Sequence, residues 1–217
     1  MNDETQVLRI EIDGRWEATE FVAALSAIDR LYTLRFGLAL EQEELHDLRE
    51  IYLNARVPPV LSSVRYLRRG QELDPTILPF PEWTPVTTAS RITAISKLLE
   101  PSERLVVQRV IYGSPGITDL IGISPIVGDI KDLLVRLIDH WSTRRQRDLE
   151  NDRRELENRQ LLVENAKRFV DLASDLGYSK REMRQIVSTL MQELKPLMGL
   201  IAAGKITSAD TVDESQK

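Results

Sequence analysis

The sequence predicts an α+β fold that is mostly helical. Three observations lead to this class: an alternating apolar segment near residue 10, a β-branched run at 105–112, and helical periodicity from Pro125 to Leu176. Few strands and much helix predict a small two- or three-stranded sheet covered by helices. A very long charged helix and a short return helix are expected to follow it.

The first segment is predicted to be a half-buried strand. Leu8, Ile10 and Ile12 alternate with charged residues, which gives the period of two that strands show. An amphipathic helix is expected from near Thr19, and Gly37 is expected to close or interrupt it before a second helix at 42–54. Four prolines then fall within residues 70–88, so this stretch is predicted to be an irregular connection.

Residues 105–112 form the strongest strand signal of the chain, because β-branched side chains dominate the run. Gly113, Ser114, Pro115 and Gly116 end it. We expect this strand to pair with the first one and to lead through a strand-to-helix turn into the long helix.

The long helix carries the clearest interaction signal. Its middle, residues 144–159, is dominated by arginine and acidic residues, while Leu149, Leu156, Val163 and Val170 recur every seven residues. This is one position of a heptad, but the companion position is polar or small, so the pattern is only partly that of a coiled coil. The helix is expected to pair with a copy of itself or another helical protein, to fold back on the C-terminal helix, or to do both.

The return helix is expected to begin at a capping box, with Ser179 as the N-cap and Glu182 three positions later. Gly177 is the expected C′ residue, just past the end of the preceding helix, and Pro196 is expected to end or kink the return helix. The predicted organisation is therefore an α+β body at 1–124, a helical arm at 125–203 and a disordered tail at 204–217.

Composition excludes several classes of function. The chain of 217 residues has no cysteine, which removes disulfide scaffolds, thiolate metal sites and cysteine nucleophiles. A net charge of −5 argues against broad nucleic-acid binding. The most apolar window, 120–138, contains four charged residues, so no transmembrane segment is expected. The segment 120–141, with its apolar face and the basic flank of Arg144 and Arg145, also allows a membrane-surface helix, although its polar face carries as many acids as bases. A cytoplasmic location is expected.

The turn after residue 112 is the candidate ligand site, formed by Tyr112, Gly113, Ser114 and Gly116. A nucleophile elbow is excluded, because Tyr112 stands where glycine is needed and Pro115 lacks the N–H that would stabilise an oxyanion. A phosphate cradle at a helix start stays open, although no P-loop lysine follows.

No catalytic set is complete, and no metal or cofactor is expected. Glu43 and His46 have the spacing of a carboxylate–histidine motif, but a second copy is missing. The first hypothesis is a non-enzymatic protein–protein interaction or oligomerisation module that uses the long helix. The alternatives are a ligand-binding or enzymatic domain at the turn, and peripheral membrane or DNA association through the helical arm.

Overall fold

The structure is a computed structural model that describes residues 4–54, 99–145 and 167–212. Within these ranges the chain forms β1 (Thr5–Ile12), α1 (Ala18–Asn54), a short 3-10 helix (Pro101–Glu103), β2 (Val106–Ile111), β3 (Gly116–Ile123), α2 (Ser124–Arg145), α3 (Lys167–Asp175), α4 (Lys180–Ala202) and β4 (Ile206–Val212). The predicted α+β class is confirmed. The predicted Pro-rich connection at 70–88 and the charged middle of the long helix lie outside the described residues.

In the described part of the chain the sheet has four antiparallel strands in the order β2-β3-β1-β4, one more than the largest number predicted. β2 pairs with β3 and not, as predicted, with β1. The expected strand-to-helix turn is also wrong, because residues 112–115 join two strands and α2 begins only at Ser124. β3 was missed because its apolar residues run directly into those of α2, so that the two elements resemble one helical segment.

The C-terminal strand β4 corrects the predicted disorder at 204–217 for residues 206–212. β4 pairs with β1, and Ile206 and Ala209 are buried in the core. Gly204 at the end of α4 makes the turn possible: its φ is +73°, and the Lys205 N–H donates to the Leu200 carbonyl at 2.8 Å. This is a Schellman motif, which directs the chain from the helix into the strand.

Two of the described helices, α1 and α4, continue past residues that were expected to end or interrupt them. α1 continues through Gly37 as one helix of 37 residues. α4 is one helix of 23 residues that includes Pro196. Leu194 and Leu197, on either side of the proline, are buried in the core and hold the helix together there. The predicted capping box of Ser179 and Glu182 is confirmed, and Gly177 has the positive φ of +79° expected after α3.

One hydrophobic core joins the sheet to the four described α-helices. Leu8, Ile10 and Leu120 face it from the two central strands, and α2 packs on β1, β3 and β4. α3 packs on α1 and α4. The predicted boundary at residue 124 therefore falls between two consecutive elements that share this core.

Candidate interaction surface at the sheet edge

Two of the four residues of the predicted ligand turn, Tyr112 and Ser114, are hydrogen-bonded to the loop that follows β1. Ser114 donates its hydroxyl to the Asp13 carboxylate, and the Gly14 N–H donates to the same carboxylate at 2.7 Å. The hydrogen bond from Ser114, followed by that from the Gly14 N–H, lowers the pKa of Asp13. The Tyr112 hydroxyl accepts a bond from the Trp16 N–H at 3.5 Å. The turn is thus engaged in joining two loops.

The glycines of this turn have a packing role. A Cβ on Gly116 would lie 2.6 Å from the Ile111 carbonyl oxygen, and one on Gly113 would lie 3.1 Å from the Pro115 carbonyl oxygen. Close approach of the backbone thus explains both glycines without a ligand. The phosphate-cradle hypothesis depended on a helix N-terminus after the turn, and β3 stands there instead.

Of the four predicted heptad residues, only Val170 lies within the described residues; Leu149, Leu156 and Val163 do not. Val170 is half-buried in α3, next to the fully buried Phe169. Val170 is thus on a helix that packs within its own chain. Whether the heptad pairs with another helix stays a prediction.

A row of alternating charges crosses the sheet on the face opposite the core. Its members, in spatial order, are Arg109 on β2, Asp119 on β3, Arg9 on β1 and Asp210 on β4. Asp119 is only 2% exposed and accepts hydrogen bonds from Arg9 at 2.8 Å and Arg109 at 2.6 Å. The bond from Arg9, supported by Arg109, outweighs the effect of burial and lowers the pKa of Asp119. Asp119 therefore connects β3 to both β1 and β2.

β2 is an edge strand with exposed apolar side chains on both of its faces. All six of its residues are exposed, and Val106, Val107, Val110 and Ile111 each keep 43–47% of their surface in water. Tyr112, directly after the strand, is 65% exposed. Among the described residues, no strand pairs with the outer side of β2. We call Val106–Tyr112 the edge surface.

A β-bulge determines which side chains of the edge surface share a face. Val106 lies opposite Ile121 and Val107 opposite Leu120, but Arg109 then lies opposite Asp119, so that Gln108 is an additional residue in β2. Val107 and Val110 therefore share the core face, while Val106, Arg109 and Ile111 lie on the other.

The opposite edge of the sheet has a different chemistry. β4 carries Thr207, Ser208, Asp210 and Thr211, buries Ile206 and Ala209, and leaves Val212 half-buried. Polar and charged side chains on an edge strand discourage pairing with another chain, whereas an apolar β-branched edge favours it. The two edges thus differ, and only β2 has the composition of a contact surface.

The edge surface was visible in the sequence as a strand but not as a surface. A continuous β-branched run usually indicates a strand that is buried on both faces. The structure instead places helices on β1, β3 and β4, and the side chains of β2 extend past this layer into water. The exposure of β2 follows from its outermost position in the strand order, which local periodicity does not encode.

Two further classes of site are not found in the described parts of the chain. Within residues 4–54, 99–145 and 167–212, no group of three potential metal-ligating side chains lies together. No helix in these same ranges has the length and apolar character needed to cross a membrane.

Comparison with known proteins supplies no relative for this chain. No family model matches it, and neither a curated protein nor a solved structure matches it with significance.

Proposed function

We propose that this chain is a non-enzymatic protein–protein interaction module and that the edge surface is its contact site. The observation that carries the proposal is the concentration of exposed apolar side chains on one edge strand. Of the seven large hydrophobic residues that are exposed in the described structure, five lie in Val106–Tyr112. A contiguous apolar patch on a folded domain commonly marks an interaction site.

The form of the surface favours a polypeptide as the ligand. An edge strand offers its backbone N–H and C=O groups to an incoming strand, and side chains on both faces can pack on the residues that alternate along it. A membrane surface would be contacted by basic residues around the apolar patch. The one basic residue within β2, Arg109, is instead bonded to Asp119 at 2.6 Å.

The long helix remains part of the proposal as a second contact. Leu149, Leu156, Val163 and Val170 repeat every seven residues, and the arginines and acids between them suit a solvated helix that pairs along a narrow seam. Substitution of Leu156 and Val163 by aspartate tests this contact separately from the edge surface. If assembly and partner binding stay intact in this variant, the helical contact is wrong.

Photo-crosslinking in cells of the native host tests the edge surface. Tyr112 is replaced by p-benzoylphenylalanine, which keeps an aromatic ring at an exposed position. Val22 on α1, which is 63% exposed, receives the same amino acid as the matched control. We expect a discrete crosslinked protein from position 112 and none from position 22. Equal products from both positions, or none from either, would contradict the proposal.

A further inference from the structure

The edge surface is complementary to itself in one antiparallel register. Residues that lie opposite each other in an antiparallel pair must project on the same face. Without a bulge, Val106 and Ile111 would lie on opposite faces, because they are separated by an odd number of positions. The extra residue Gln108 brings both onto the face opposite the core and leaves Val107 and Val110 together on the core face.

In this register each of the four apolar residues of β2 would lie opposite an apolar residue of the second copy. Val106 would lie opposite the partner's Ile111, and Val107 opposite the partner's Val110. Each pair occurs twice, because a two-fold axis passes between residues 108 and 109. β-branched residues that face each other across antiparallel strands stabilise the pairing. All four side chains are 43–47% exposed in the single chain, so each has apolar surface to bury.

The charges along the edge are compatible with the same register. Arg109 would lie opposite the partner's Gln108 and not opposite its own copy, and its guanidinium is already bonded to Asp119 at 2.6 Å. The exposed Arg104, just before the strand, would lie opposite the partner's Gly113. Ser114, the next residue, holds the Asp13 carboxylate, which is opposite in charge to Arg104.

We propose that the partner of the edge surface is a second copy of this chain. Two β2 strands pair antiparallel, with Val106 opposite the partner's Ile111 and Val107 opposite the partner's Val110, and join two four-stranded sheets into one of eight strands. This inference rests on the proposed function and adds the identity of the partner and the register of the contact.

Disulfide formation tests the register directly, because the chain has no cysteine of its own. The double variant Val107→Cys/Val110→Cys places two pairs of thiols opposite each other across the two-fold axis. Within one chain the two positions are about 10 Å apart along the strand, too far for a disulfide. The controls are Val107→Cys alone, Val110→Cys alone, and Val107→Cys/Ile111→Cys, whose thiols lie on opposite faces.

We expect a covalent dimer of the full chain after mild oxidation of the first variant, and at least a tenfold lower yield from the three controls. Similar yields from all four variants would overturn the register. No covalent dimer from any of them, together with a monomer mass at every concentration, would overturn self-pairing.

Photo-crosslinking at position 112 distinguishes failure of this inference from failure of the proposed function. A product that contains a different protein, with no self-product, overturns the second copy as partner and leaves the edge surface as a contact site. Absence of any product overturns both. Circular dichroism of each cysteine variant establishes that its fold is intact before the yields are compared.

Discussion

At the scale of single residues, Asp119 connects three of the four strands. Its carboxylate accepts hydrogen bonds from Arg9 on β1 and Arg109 on β2 while it lies at 2% exposure on β3. A buried carboxylate without partners would cost several kcal/mol, so the two arginines are needed to keep it ionised in this position. The arginines themselves are 30% and 45% exposed, and their charges remain in contact with water.

The Asp119→Asn substitution is expected to lower the free energy of unfolding at pH 7 by about 1–3 kcal/mol. The loss stays below that of a fully buried pair because both arginines can return to water. Chemical denaturation followed by circular dichroism measures it. Asp210→Asn, in the same row but exposed on β4, is the control and should change stability by less than about 0.5 kcal/mol. Equal effects at the two positions would contradict the assigned role of Asp119.

The same residue predicts a dependence of stability on pH. The pKa of Asp119 is lower in the folded chain than its ordinary value, so the ionised carboxylate contributes stability above about pH 4. That contribution is lost as the pH falls through the folded-state pKa. Denaturation at a series of pH values should therefore show the difference between the natural chain and Asp119→Asn shrinking in acid. A difference that stays constant down to pH 2 would rule out an electrostatic origin.

Gly122 gives a second test at the residue scale. A Cβ at this position would lie 2.8 Å from Cε2 of Tyr32, whose hydroxyl donates to the Glu103 carbonyl at 2.9 Å and accepts from the Ile123 N–H at 3.0 Å. The Gly122→Ala substitution must displace this buried ring and should cost about 1–3 kcal/mol. Gly128→Ala in α2, where nothing lies within 4 Å, should instead stabilise by about 0.5–1 kcal/mol. Thermal unfolding of both variants measures these changes in stability. Changes of the same sign in the two variants would contradict the packing described around Gly122.

At the scale of elements, β4 is a strand that no local sequence pattern indicates. Its residues are mostly polar, and its two buried side chains, Ile206 and Ala209, contribute too little apolar pattern to be noticed locally. The strand exists because β1 offers an edge and the Schellman motif at Gly204 directs the chain toward it. Pairing between strands so far apart in the sequence cannot be predicted from local periodicity.

β4 is nevertheless expected to be essential for stability, because α2 packs on it. Ala209→Asp places a charge in the core at a position that is 6% exposed and should cost at least about 3 kcal/mol or prevent folding. Ala203→Asp introduces the same side chain at the exposed end of α4 and should cost less than about 1 kcal/mol. Urea unfolding compares the two. A mild effect at Ala209 would mean that β4 does not pack as described.

Elements with strong local signals were predictable. β1 has a clean alternation, and the N-terminus of α4 has a capping box in which both hydrogen bonds are present. The beginning of α1 near Thr19 was also predictable. The local pattern did not indicate the hydrophobic staple at this helix start, in which the ring centroids of Trp16 and Phe21 lie 5.9 Å apart. α1 continues through Gly37 and α4 through Pro196, because tertiary packing overrides the local tendency of a residue to end a helix.

At the scale of the whole molecule, the described helices pack on one side of the sheet, and all residues of the edge strand β2 are exposed. The candidate site could be predicted only in part, because residues 105–112 were recognised as a strand but were placed beside β1. In the observed order β2 is outermost, and this position converts an apparent core strand into an apolar surface. The predicted ligand turn, by contrast, is explained by contacts within the chain.

The most direct test of the edge surface is the mass of the chain in solution, measured by sedimentation velocity over a wide range of concentrations. The natural chain is compared with Val107→Lys/Val110→Lys, which puts charges on the edge, and with Val22→Lys, the same change at an exposed position on α1. We predict a concentration-dependent dimer for the natural chain and for Val22→Lys, and a dimer dissociation constant raised at least tenfold in the double variant. A monomer at all concentrations, or a dimer that the double variant leaves unchanged, would contradict self-pairing through β2.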